Sequence, residues 1–527
     1  MVNEMDDLSN VLHLMNNIFG IIFLKNMKLL KDSDDDTING DFESVLDFYI
    51  TSHSISLIKN LSLGINFSAG SILNIRGIIE AKALLCMYKK GDINEDNQKL
   101  FLLQYKIIEY NNYKEVKNAE EYVIDINLVK QEYAKVKEKY KEYNSDEKEL
   151  KKILKTQMPA LLNPCFKFEK IIKKYLSDDE LKVYKLCSQI IHPNDNLILK
   201  EELQIDNFYA YILSFIIDRY LLNDNYAINF TFKTYRDLIM EDKNSITYQI
   251  HKIILDQNAQ LNRIAKTLEE NFGANNYLSN CLLVLQNNLY DITMDHLLGL
   301  SEQCKLKWKP ILEMFSTMHY LSQNVGLRDD RYTLFKKHSI VQLCNNLGQQ
   351  YDLRSCYELY KKMYPNGCDF EMFNKLFCST MGFTINEKGL EYNLNDICLK
   401  YAESFNKQTL KICVNEKISE IKVDNDIMLN YFESQMLSHS NGYMYYSNSG
   451  AWGNSTSVLI EFDYCLIRLL DALLIEYKFA SIVEDNINYA NIANVLDSSL
   501  QTIKKLVKQK NKLLSIPIEK IDLTKLF

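Results

Sequence analysis

Glycine and proline are the residues a chain uses to turn sharply or to end a helix, and this chain has 16 and 6 of them in 527 residues. That is about 4%, against roughly 12% in an average protein. A chain so poor in breakers cannot make the many tight turns of a β-sandwich or barrel. It is expected to run in long helices. The expected fold class is all-α: two tandem, duplicated helical bundle domains joined by a long helix, with at most a few short strands. The expected parts are an N-terminal helix and acidic loop over 1–40, a first helical domain over 41–225, a linker and long connecting helix over 226–275, a second helical domain over 276–482, and a basic C-terminal helix and tail over 483–527.

Periodicity places the helices. Apolar spacing predicts helices over 9–31, 41–63 and 68–90, the last stopped by Gly91-Asp92, and a single helix over 97–112. Tyr122 to Ile126 reads as a short strand. Residues 129–156 are dense in Lys, Glu and Tyr and read as a solvated helix or hairpin, or as a partner-binding arm. Ser177-Asp178-Asp179-Glu180 matches a capping box, and the helix it starts is expected to end at His192, before Pro193. Ile246 to Leu268 keeps helical spacing over more than six turns, with Gly273 as its stop. Further helices are expected at 276–300, 303–325, 456–482 and 487–514.

Several functions are disfavoured. The net charge of −8 gives no global basic field for nucleic acid. The twelve cysteines form no Cys-x-x-Cys pair, so neither a metal site nor a cofactor is expected, and a reducing compartment fits better. No apolar run approaches the roughly 18 residues of a membrane span. Acidic residues at Glu4, Asp6 and Asp7 do not suit a signal peptide. The expectation is a cytoplasmic protein with no membrane contact.

The candidate chemistry lies on two helices. Arg76 and Glu80 are four residues apart, on one face of an otherwise apolar helix. Two readings are open: an ion pair that fixes packing, or a site where Arg76 binds an anion and Glu80 orients it. Tyr184, Ser188 and His192 follow one another by helical turns, with His192 at a helix end that favours its protonated form. Weaker echoes occur later. Lys309-Pro310-Ile311-Leu312-Glu313 aligns with Arg76 to Glu80, and Tyr431 and His439 align with Tyr184 and His192. Lys309 cannot reproduce a bidentate Arg contact, so an active half, if there is one, is the N-terminal one. Beyond these, Tyr443, Tyr445, Tyr446 and Trp452 lie in a glycine-containing stretch and are candidates to stack on bases or close over a pocket. Lys504, Lys505 and Lys508 belong to a basic run that is either a solvated helix end or a phosphate-contacting patch.

The pattern Arg-x-x-x-Glu followed by Tyr-x-x-x-Ser-x-x-x-His-Pro, here Arg76, Glu80, Tyr184, Ser188, His192 and Pro193, resembles a bacterial helical family, domain-of-unknown-function family 5677, over about residues 40–225. The resemblance implies a helical fold and little about activity. Arg331 and His338, seven residues apart, resemble the Arg/His pair of HEPN ribonucleases. That resemblance implies His338 as acid/base for attack by an RNA 2′-hydroxyl and Arg331 as phosphate holder. The functional expectation is a bacterial defence or stress effector acting on nucleic acid, such as a metal-independent ribonuclease, with RNA as partner. The alternative is a non-enzymatic helical scaffold or sensor for a protein or a small anionic ligand.

Overall fold

A computed structural model describes residues 42–63, 68–114, 126–143, 168–191, 242–273, 276–322, 410–414, 417–421, 427–437 and 455–515, with scattered positions at 212–215 and 354–374. The described residues are all-α apart from one small hairpin. They form fourteen helices: α1 (Phe42–Ser62), α2 (Ala69–Lys89), α3 (Glu95–Leu102), α4 (Tyr105–Tyr113), α5 (Ile126–Tyr143), α6 (Phe168–Tyr175), α7 (Asp178–Ile190), α8 (Ile246–Phe272), α9 (Tyr277–Leu297), α10 (Ser301–Leu306), α11 (Trp308–Ser322), α12 (Ile427–Leu437), α13 (Thr456–Val483) and α14 (Ile487–Leu514). The hairpin pairs β1 (Leu410–Val414) antiparallel with β2 (Lys417–Ile421), Leu410 opposite Ile421.

The helix ends follow local chemistry. Ser68 caps α2 by accepting from the Ser71 N–H, and Gly91, at φ +72°, turns the chain after it. Ser177 and Glu180 form the full reciprocal capping box at the start of α7. Gly273 takes φ +91° where α8 stops. Two expected helices are broken. The segment 97–112 divides into α3 and α4 around Leu103-Gln104, and 303–325 divides into α10 and α11 at Lys307. Pro310 sits in the first turn of α11, where a missing N–H is harmless. Ile126, expected to end a strand, begins α5; residues 122–125 and the helix expected at 9–31 lie outside the described residues.

Helices α1 and α2 pack along each other, with α6 and α7 against α2. On the other side α8 lies along α9 and α14, α14 along α13, and α13 against α11. The two groups share one core, running from Phe42 to Leu514, with α2 against α9 and α4 against α12 as joints. Fully buried aliphatics such as Ile75, Ile254, Leu285 and Leu469 each stabilise this core by about 1.5–3 kcal/mol. Among the described residues no helix is long and apolar enough to cross a membrane.

Candidate functional site

Helix α2 is buried on nearly every side, which is the position of a central helix rather than a surface one. Its charged residues therefore sit in the core. The Arg76 Nε donates to Glu80 Oε1 at 3.1 Å; Glu80 is fully buried and Arg76 is 7% exposed. Helix α7 brings the ring of Tyr184 to 5.7 Å from the guanidinium carbon, a cation–π distance. Burial works against the charge on Arg76, but the Glu80 carboxylate outweighs it and raises the guanidinium's pKa. Burial, then the charge of Glu80, pushes the Tyr184 phenol up, so it stays protonated. Next to it the Cys187 thiol is pushed up to about 12 by burial, too high for a nucleophile at neutral pH.

Helix α1 adds a histidine that the motif reading missed. His53 Nδ1 donates to Asn74 Oδ1 at 2.8 Å, and its ring lies 4.2 Å from that of Tyr49. Burial lowers its pKa to about 4, so the imidazole is neutral. Gly77 permits this approach, since a Cβ there would meet His53 Nε2 at 2.8 Å.

Nearly two turns further along α1 lies a second cluster. Lys59, from α1, and Lys307, between α10 and α11, face Asp291 and Asp295 on α9, and all four are fully buried. Lys59 Nζ is 2.7 Å from Asp291 and also pairs with Asp295; Lys307 Nζ is 2.5 Å from Asp291 and likewise pairs with Asp295. Lys307 further donates to Ser56 Oγ at 2.8 Å, and Ser68 Oγ to Asp291 Oδ2 at 2.7 Å. Two cations meet two anions, so the group is neutral. Burial opposes the charge on Asp291, but the ammonium groups of Lys307 and Lys59 outweigh it and hold the carboxyl below its usual range. Asp295 is raised by burial, which its lysine partners do not fully offset, with the charge of Asp291 adding to the rise. Gly70 is required here, because a Cβ would strike the Asp291 carboxylate and the Lys307 side chain. A third buried group joins α8, α13 and α14: Lys510 Nζ lies 2.8 Å from Asp463, whose Oδ1 accepts from Gln257 Nε2 at 3.1 Å. Burial lowers the pKa of Lys510 and raises that of Asp463.

Of the sequence candidates, Arg76, Glu80 and Tyr184 are brought together, with half-buried Ser188 one turn beyond Tyr184. His192, Arg331, His338, His439, Tyr443, Tyr445, Tyr446 and Trp452 lie outside the described residues. In the second half, Glu313 and Tyr431 are buried, and the half-buried Lys309 donates its backbone N–H to Ser434 Oγ at 2.9 Å. Helices α11 and α12 pack together as α2 and α7 do; that pairing alone does not establish a duplicated domain. The basic run is mixed. Lys505 and Lys508 are exposed, Lys504 pairs with Asp471 at 2.9 Å, and Lys510 points into the core. The signal for the missed cluster was Asp291 and Asp295, two like charges four residues apart on an apolar helix. Such a pair destabilises a helix unless cations answer it from elsewhere. Among the described residues the Arg76 guanidinium is engaged by a carboxylate and an aromatic ring. Among the described residues no group of three or more His, Cys, Asp or Glu is arranged to hold a metal ion. No family model matches the chain, and neither does any curated protein or solved structure.

Proposed function

We propose that this chain is a non-catalytic helical scaffold that acts by docking another macromolecule. The observation that supports it is the closure of Arg76, Glu80 and Tyr184 on one another inside the core. A guanidinium that serves substrate keeps donors aimed at solvent or at a cleft. Here the charge is used to hold α2 and α7 together. The same pattern recurs at Lys59/Lys307 and at Lys510, so buried ionic groups in this protein serve to fix helix packing. The described cysteines are all free thiols, which fits a reducing, cytoplasmic setting.

The test is incubation of purified full-length protein with single-stranded and structured RNA. The expected result is intact RNA. Cleavage by the wild type that is lost in a folded Arg76→Ala or His338→Ala variant would overturn the proposal and restore the ribonuclease expectation.

A further inference from the structure

Helix α13 carries an apolar stripe that none of the other described residues covers. Ile475, Phe479, Ile482 and Val483, joined by Ile487 at the start of α14, are between 52% and 83% exposed. The α13 residues fall at i, i+4, i+7 and i+8, one face of a helix, and Ile475 to Ile482 spans about 10 Å. The opposite face of the same helix is spent on the core through Leu473, Tyr477 and Ala480. Beneath the stripe the ends of α8, α13 and α14 are locked by aromatic contacts. Phe272 stacks on Tyr477 at 6.2 Å between ring centroids, and Tyr489 lies 6.0 Å from Tyr477. These ring contacts tie the three helix ends together, and a surface built on packed helices pays less entropy on binding than one that must order first.

One edge of the stripe carries Glu476 and its C-terminal end carries Glu484 and Asp485, and among the described residues no cation pairs with these three; the other edge carries Lys478. The neighbouring lysines are already engaged, Lys478 by Asp497 at 3.0 Å and Lys504 by Asp471 at 2.9 Å. Burial raises the pKa of the Glu476 carboxyl. We infer that this face docks an amphipathic helix of a partner protein, its apolar side against Ile475, Phe479 and Ile482 and its basic borders against Glu476, Glu484 and Asp485. The inference rests on the scaffold reading and supplies the partner's chemistry. A second copy is disfavoured because a two-fold contact uses the same patch twice and would bring both sets of carboxylates into one interface. An anionic bilayer is disfavoured by the same charges.

The probe is a fluorescein-labelled synthetic peptide of about 18 residues, five helical turns, with leucines on one face and lysines along both borders. Its control has glutamates in place of the lysines. Anisotropy titration against the full chain is expected to show saturable binding of the lysine peptide and none of the control. Phe479→Glu with Ile482→Glu is expected to weaken binding at least ~10-fold, about 1.4 kcal/mol. Glu476→Gln, Glu484→Gln and Asp485→Asn together weaken it by a smaller factor. Circular dichroism checks each variant's helical fold; if the glutamate pair disturbs it, Phe479→Ser with Ile482→Ser gives the readout. Equal binding by wild type and the folded stripe variant, or equal binding of both peptides, overturns the inference. A wild-type dimer that Ile482→Glu dissolves in sedimentation assigns the face to a second copy and overturns it. Flotation with phosphatidylserine vesicles that the same variant abolishes assigns it to lipid and does likewise. RNA cleavage by a wild type that still binds the lysine peptide defeats the scaffold reading alone, whereas intact RNA with no peptide binding defeats the docking face alone.

Discussion

At the scale of single residues, glycine is where this chain is least free to change. Gly77 meets the ring of His53 across the α1–α2 contact, so Gly77→Ala is expected to destabilise the fold by about 1–3 kcal/mol through overpacking. In a double-mutant cycle with His53→Ala the two effects should be strongly non-additive, and additive urea-unfolding energies would show that the clash is absent. His53 also sets a pH dependence. Its pKa falls from an ordinary ~6.5 to about 4 in the fold, so the unfolded chain takes up a proton that the native state refuses. This contribution is fully present above pH ~6.5 and is lost as pH falls toward 4. Between pH 7 and pH 5 the loss is on the order of 2 kcal/mol. Urea titrations at both pH values should show the loss in the wild type and a smaller one in His53→Gln. Arg76→Ala should cost about 3–5 kcal/mol, because Glu80 is left charged in the core, and the midpoint of urea unfolding measures it.

At the scale of elements, helix ends were legible wherever a short polar residue or a glycine made them. The α2 limits follow from Ser68 and Gly91, the α7 start from the Ser177/Glu180 box, and the α8 end from Gly273. The breaks at Leu103-Gln104 and Lys307 were not legible, since neither has a glycine or proline. At Lys307 the reason is tertiary: the chain turns so that its ammonium reaches Asp291 and Asp295. The candidate site was half legible. Four-residue spacing paired Arg76 with Glu80, but nothing in the polar run from Thr51 to Asn60 showed that it faces the core. Lys510 was legible as a lysine and not as a buried one. Spacing within one basic run cannot reveal an aspartate on another helix. Removing one partner of the Lys510–Asp463 pair, as in Asp463→Leu, should cost about 3–5 kcal/mol. Lys510→Met with Asp463→Leu should recover much of that, and thermal melts of the three proteins order them.

At the scale of the whole molecule, one core crosses the boundaries that the sequence suggested, and charge pairs help to close it. Lys59 on α1 is answered by residues of α9. The effect of Lys59→Met should therefore reach Trp308, which is fully buried at the start of α11. A downward shift in the denaturant midpoint of tryptophan fluorescence, matched by the shift in far-ultraviolet circular dichroism, is expected. A shift in circular dichroism alone would mean that the N-terminal helices unfold as a separate unit.

The Lys59–Asp291 bond has one further consequence, for how the protein is made. Its two ends are 232 residues apart in the chain. At a synthesis rate of about 5–20 residues per second, Lys59 leaves the ribosome roughly 10–50 s before its counter-ion. During that interval α1 and α2 hold an ammonium group where their core must become dry. The N-terminal helices are therefore expected to condense fully only when α9 emerges, which would tie folding to translation of the middle third of the chain.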